Sequence, residues 1–170
     1  MRCLQRTLIN RRLWFFQSDR QRLMQRTKLI ALSPVGLLQE HVCDNEFLTL
    51  CVAVLLNCTT RKQVDKIFPV FIKKYSDPRN VVNANVDEFV SLLKPLGFSN
   101  RRSKTLMKLA KAYIAGFTHA SELPGVGQYG ASSWEIFCRN IVPKEPPKDH
   151  ALHRYVLWKN LQSELSTRLW

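Results

Sequence analysis

The stretch Phe47–Leu56 is apolar at every position but Thr49. Wound as a helix, it shows apolar side chains on nearly every face, so other elements must cover it all round. It is too short to cross a bilayer, which takes about 20 apolar residues. A chain containing it is built around one central helix. No segment alternates apolar and polar residues with a period of two over a useful length, so the covering elements are helices too. The fold class expected is all-α. A length of 170 residues with 45% apolar composition suits one domain with its own core.

The helices around this centre carry readable boundaries. Ser33-Pro34 matches a cap followed by proline at the first helical position. Asp44-Asn45 precedes the central helix, and Asn57-Cys58-Thr59-Thr60 ends it. Thr60-x-x-Gln63 is a capping box, opening a helix with Val64, Ile67, Phe68, Phe71 and Tyr75 on one face and a kink expected at Pro69. Asn85-x-x-Glu88 opens another, with Val86, Phe89, Val90 and Leu93 expected inward and an end near Pro95 and Gly97. Phe98 then stands among polar residues. The following helix starts with Arg101, Arg102 and Lys104, buries Leu106, Leu109, Ala110 and Tyr113, and stops at Gly116. Cations at a helix start oppose the macrodipole; a phosphate partner would account for them, and so would a solvated face.

The formal charge is +13. Such an excess suits a polyanion, with nucleic acid first. About half of it lies in residues 1–30, where eight Lys or Arg face one acid, Asp19. These residues read as a basic extension ahead of a domain over 31–170. A signal peptide is not expected, because no long apolar core precedes a small-residue cleavage site. A mitochondrial presequence, a DNA-binding arm, a nuclear signal and a plain helical extension all remain open. Five scattered cysteines with no C-x-x-C pair make a zinc or iron–sulfur site unexpected and suit reduced thiols. His150 and His153 beside Asp149 lack a convincing fourth ligand, so no metal and no cofactor is expected.

Two features carry the chemistry. Leu123-Pro124-Gly125-Val126-Gly127 is a tight turn between helical segments. Pro124 ends the first, and the two glycines allow backbone angles and approaches that a side chain forbids. The turn feeds a helix over Gln128–Cys138, whose first N–H groups suit a phosphate. An ordinary helix corner is the plain alternative. Twenty-two residues after Gly127, a proline-rich loop delivers Asp149 to another helix start. A fixed carboxylate there can stabilise a growing positive charge or orient a water. It can equally be a simple N-cap.

In combination, these motifs resemble the helix–hairpin–helix DNA glycosylases. Leu92-Leu93-Lys94-Pro95-Leu96-Gly97, the turn with Gln128-Tyr129-Gly130, and Asp149-His150-Ala151-Leu152 resemble in particular the catalytic domain of the methyl-CpG-binding-domain thymine DNA glycosylases. The similarity runs from about Ser33 to the end. No segment matches the methyl-CpG-binding domain, so recognition of methylated DNA is not carried over.

The resemblance implies a two-lobed fold and excision of thymine or uracil opposite guanine. Asp149 would be the catalytic carboxylate. Tyr129 stands where bifunctional relatives such as endonuclease III carry a nucleophilic lysine, and a phenol cannot form a Schiff base. A monofunctional enzyme is therefore implied. Tyr129 would line the pocket, or simply pack beneath the hairpin. Gly125, Val126 and Gly127 would grip the DNA backbone by their amides. Arg61, Arg101, Arg102 and Lys104 would contact DNA, and Gln128 and Asn57 would touch base edges or cap backbone. Phe98 matches the apolar residue that fills the gap left by a flipped base; a core role is the alternative. Cys58 replaces an arginine frequent in the family, with Arg61 nearby. The partner implied is double-stranded DNA with a G·T or G·U mismatch, bound by a monomer, in the nucleus of a eukaryote or in mitochondria. A non-catalytic DNA-binding module and a glycosylase for another base are the competing readings.

Overall fold

The structure, a computed structural model, describes residues 33–168. The basic extension over residues 1–30 lies outside them. Among the described residues there are seven α-helices and three 3-10 turns, and no strand. The helices are α1 Glu46–Leu56, α2 Arg61–Tyr75, α3 Pro78–Val82, α4 Val86–Leu93, α5 Ser99–Ala115, α6 Gln128–Cys138 and α7 His150–Arg168. The 3-10 turns are Leu38–His41, Lys94–Leu96 and Ala120–Glu122.

Helix α1 is the expected centre. Asn45 caps it by accepting the Leu48 N–H at 3.0 Å, and every residue from Phe47 to Leu55 is buried. Helix α2 opens with the Thr60–Gln63 capping box and buries the five residues expected of it, running on through Pro69. Asn85 caps α4 by accepting the N–H groups of Asp87 and Glu88. Phe71, Tyr75 and Phe89 form an aromatic cluster, with the Tyr75 and Phe89 centroids 4.7 Å apart. Val86, expected inward, is 55% exposed. It shares the stripe of Phe89 and Leu93 but is the first residue of the helix, at its exposed end.

Residues 33–36, taken by themselves, form a turn and not the expected helix start. The Ser33 hydroxyl accepts the Val35 N–H at 3.2 Å, and the Gly36 N–H donates to the Ser33 carbonyl at 3.1 Å. Gly36 at φ +65° is incompatible with continuing a right-handed helix. From Leu37 onward the chain forms one compact unit.

Within that unit, the apolar contacts fall into two groups. The main core gathers α1, the inner faces of α2, α4 and α5, and Trp134 of α6. The smaller group lies outside that core: Ile136 of α6 and Leu152, Tyr155 and Val156 of α7 are buried. The Tyr155 ring lies 4.8 Å from Phe137, centroid to centroid. Glu40, in the Leu38–His41 turn, is near enough to help raise the Tyr155 phenol to about 12, chiefly an effect of burial. Helix α6 is the wall shared by the two lobes, with Trp134 facing one and Phe137 the other. Gly130 makes this wall thin, since a β-carbon there would press on Val126 Cγ1 at 2.9 Å and Ala53 Cβ at 3.1 Å.

Candidate active site

The hairpin is held from both sides. His119 Nε2 lies 3.1 Å from Glu135 Oε1, which ties the approach to the turn onto α6. Inside the turn, the Val126 N–H donates to the Leu123 carbonyl at 3.1 Å, and the Val126 side chain is buried. The Val126 amide is therefore engaged within the turn, and the expectation that it grips DNA is corrected. The Gly125 and Gly127 amides have no partner among the described residues. Gly125 needs its φ of +81°, and a β-carbon on it would collide with Thr105 Cγ2. Gly127 differs: its φ of −85° is open to any residue, and a β-carbon would meet nothing within 4 Å. Its value lies in the open space before it. No side chain caps α6, so its first amides stay available to an anion.

Asp149 caps α7. One carboxylate oxygen, Oδ1, accepts the N–H groups of Ala151 at 3.0 Å and Leu152 at 2.9 Å. The other oxygen has no partner among the described residues. The carboxylate is thus oriented by its helix while one oxygen stays usable. It lines a cavity of about 450 Å³ together with Asn57, Cys58, Gly127, Gln128 and Tyr129. The loop Pro143–Lys148 closes a neighbouring cavity of about 700 Å³ that shares Gln128, Tyr129 and Asp149.

Tyr129 is half-buried, and its hydroxyl accepts from Gln39 Nε2 at 2.5 Å. Ser133 adds a hydrogen bond. Burial pushes the Tyr129 phenol upward; the Gln39 bond opposes this, and the Asp149 carboxylate raises it further. The phenol stays neutral and keeps its own proton to donate. Gln39 is fully buried, and its Oε1 has no partner among the described residues. Neither Gln39 nor Ser133 was anticipated. Gln39 lies ninety positions from Tyr129 in the short polar run Gln39-Glu40-His41, and no spacing rule connects them.

The remaining candidates divide. Phe98 is 72% exposed and left-handed, with φ +48°. It lines a cavity of about 330 Å³ with Asn57, Cys58, Arg101 and Gly125, next to the Asp149 cavity. Its core alternative is thereby removed. Lys104 is exposed one turn beyond Arg101. Arg61 pairs with Asp65 at 2.6 Å, and its charge also reaches the Tyr129 phenol. Arg102 is the second correction. It is only 6% exposed, and its guanidinium donates to the carbonyls of Val54, Leu55, Asn57 and Leu96. It braces the interior and lines the Phe98 cavity from inside, unlike the exposed Arg101 and Lys104.

Fold and site together define a helix–hairpin–helix protein with a helix-capping carboxylate facing the cavity behind its hairpin. Residues 51–167 match the HhH-GPD superfamily of base excision DNA repair proteins, and the chain belongs to that family. It is 32% identical over 124 residues to a methyl-CpG-binding domain protein 4-like protein of Arabidopsis thaliana, covering 72% of this chain and 28% of that protein. It is 37% identical over 113 residues to a thymine-DNA glycosylase of Aeropyrum pernix, covering 62% and 50%. The structure of a thermostable thymine-DNA glycosylase superposes with a TM-score of 0.55 at 25% identity, covering 61% of this chain and 51% of that one. The chain thus spans between about a quarter and a half of the length of these relatives.

Proposed function

We propose that this chain is a monofunctional DNA glycosylase that hydrolyses the bond between deoxyribose and a thymine or uracil mispaired with guanine. The observation that carries the reading is the pairing of Asp149 and Tyr129 on one cavity behind the hairpin. The partner is duplex DNA, bound by a monomer. The amides of Gly125 and Gly127 and the first turn of α6 would hold the phosphate chain beside the flipped nucleotide. Phe98 would enter the gap in the stack. A mispaired base is already weakly held, which lowers the cost of extrusion.

In the reaction the C1′–N bond breaks, the base leaves with the electron pair, and water supplies hydroxyl to C1′ and its remaining proton to the departing base. The free oxygen of Asp149 would stabilise the positive charge on the sugar and orient that water. Tyr129, neutral and fixed by Gln39, can donate to a carbonyl oxygen of the departing pyrimidine. No lysine lines the cavity of about 450 Å³; Lys148 lines the one of about 700 Å³, which Tyr129 and Asp149 also line. The absence of an amine from the lining of the cavity of about 450 Å³ supports the monofunctional reading.

The test is single-turnover cleavage of end-labelled duplexes carrying G·T, G·U or A·T, with and without hot alkali. Strand breaks that need alkali, occur only at the mismatches and vanish in Asp149→Asn support the reading. Breaks without alkali, with a borohydride-trapped adduct lost in Lys148→Ala, would refute monofunctionality. Tight binding with no breaks on any duplex would favour a non-catalytic DNA-binding module.

A further inference from the structure

The buried arginine is the group whose placement the proposed chemistry leaves unexplained. Arg102 has no carboxylate partner among the described residues, yet it lies almost wholly inside the protein. Its compensation is entirely carbonyl. Nη1 donates to Val54 O and, at 3.4 Å, to Leu55 O; both belong to the last turn of α1, whose carbonyls have no further helix to bond. That turn holds no basic residue of its own, so the guanidinium also answers the negative end of the α1 dipole. Nη2 donates to Asn57 O at 3.0 Å and to Leu96 O at 3.4 Å. The Arg102 backbone N–H donates to Phe98 O at 2.8 Å.

These bonds join two segments that are far apart in sequence and individually strained. Cys58 at φ +56° and Phe98 at φ +48° are left-handed residues with a β-carbon, and Gly97 sits between Leu96 and Phe98 at φ +70°. Such backbone persists only where its surroundings over-determine it. Arg102 holds the residue before each turn: Asn57 before Cys58, and Leu96 before Gly97-Phe98. We infer that Arg102 is the positioning residue of base extrusion, locking the exposed Phe98 loop to the Asn57–Cys58 wall so that the ring enters the duplex at a fixed place. This rests on the glycosylase reading above. Burial lowers the guanidinium's affinity for its proton, and the nearby Cys58 opposes that shift. A lysine could keep the charge but cannot span four carbonyls, because its ammonium is a point charge and not a planar fork.

The experiment compares Arg102→Lys with wild type on two duplexes: one with G·T, and one with thymine opposite an abasic analogue, where no pair must be broken. 2-Aminopurine beside the target reports extrusion, and circular dichroism reports folding. Arg102→Lys is expected to slow extrusion and G·T excision on the order of a hundredfold, the scale of a misplaced positioning contact. Excision opposite the abasic analogue should stay at the wild-type rate. Gly97→Ala, whose β-carbon meets no atom within 4 Å but whose φ is strained, should produce the same split with every Arg102 contact to α1 left in place. Equal slowing on both duplexes would mean a general folding role and overturn the inference. Wild-type extrusion in either variant would overturn it too, and Gly97→Ala decides alone if Arg102→Lys does not fold. Wild-type protein that cleaves neither duplex would defeat the glycosylase reading itself, before any variant is compared.

Discussion

Replacing Gly125 with alanine should damage the hairpin by two separable routes. The first is conformational: Gly125 sits at φ +81°, and an alanine held near that region costs about 1–2 kcal/mol. The second is steric: the new methyl would collide with Thr105 Cγ2 on α5, and overpacking of this kind costs about 1–3 kcal/mol. The sum is about 2–5 kcal/mol, a large share of the stability of a small domain. Thr105→Ser separates the routes. It removes Cγ2 and keeps the hydroxyl, which donates to the Arg101 carbonyl at 2.9 Å. Alone it should cost under about 1 kcal/mol. Combined with Gly125→Ala it should recover the steric part and leave the conformational part. Urea unfolding of the four proteins gives the coupling energy directly. Additivity within about 0.5 kcal/mol would refute the idea that the hairpin is seated on Thr105.

Three further outcomes follow from the same geometry. Asp149→Asn should unfold at the wild-type urea midpoint, because asparagine caps a helix as well as aspartate does, while excision falls about 10²–10³-fold; Asp149→Ala should in addition lose about 1 kcal/mol of stability. Tyr113 and Tyr155 are raised to about 12 and Tyr129 is also raised, chiefly by burial, so the unfolded chain ionises first. Their stabilising effect is complete below the ordinary tyrosine value near 10 and is lost as pH climbs toward 12, which urea midpoints across that range would show together with delayed phenolate absorbance. Lys104→Ala should lower the slope of log affinity against log salt by about 0.9 on matched and mismatched duplexes alike, and an unchanged slope would remove Lys104 from the interface.

Much of this protein is local and therefore legible from residue order. The Thr60–Gln63 box, the Asn85 cap and the Asp149 cap depend on groups three residues apart, and spacing reveals them. The central placement of Phe47–Leu56 follows from its lack of a polar face. The all-α class and the turn at Leu123–Gly127 follow from patterning and from glycine and proline chemistry. What the tertiary structure alone decided is where side chains with several uses end up. Arg101, Arg102 and Lys104 look alike as a run of cations, yet the turn of α5 points Arg102 inward to the carbonyls at the end of α1 and leaves the other two in solvent. Gln39 reaches Tyr129 across ninety positions, and no local rule relates them. The Val126 amide is taken up by the Leu123 carbonyl once the turn closes. A charge or an amide carries no mark of its partner: the partner is set by which segments the buried core brings within 3 Å, and that depends on the packing of the whole chain.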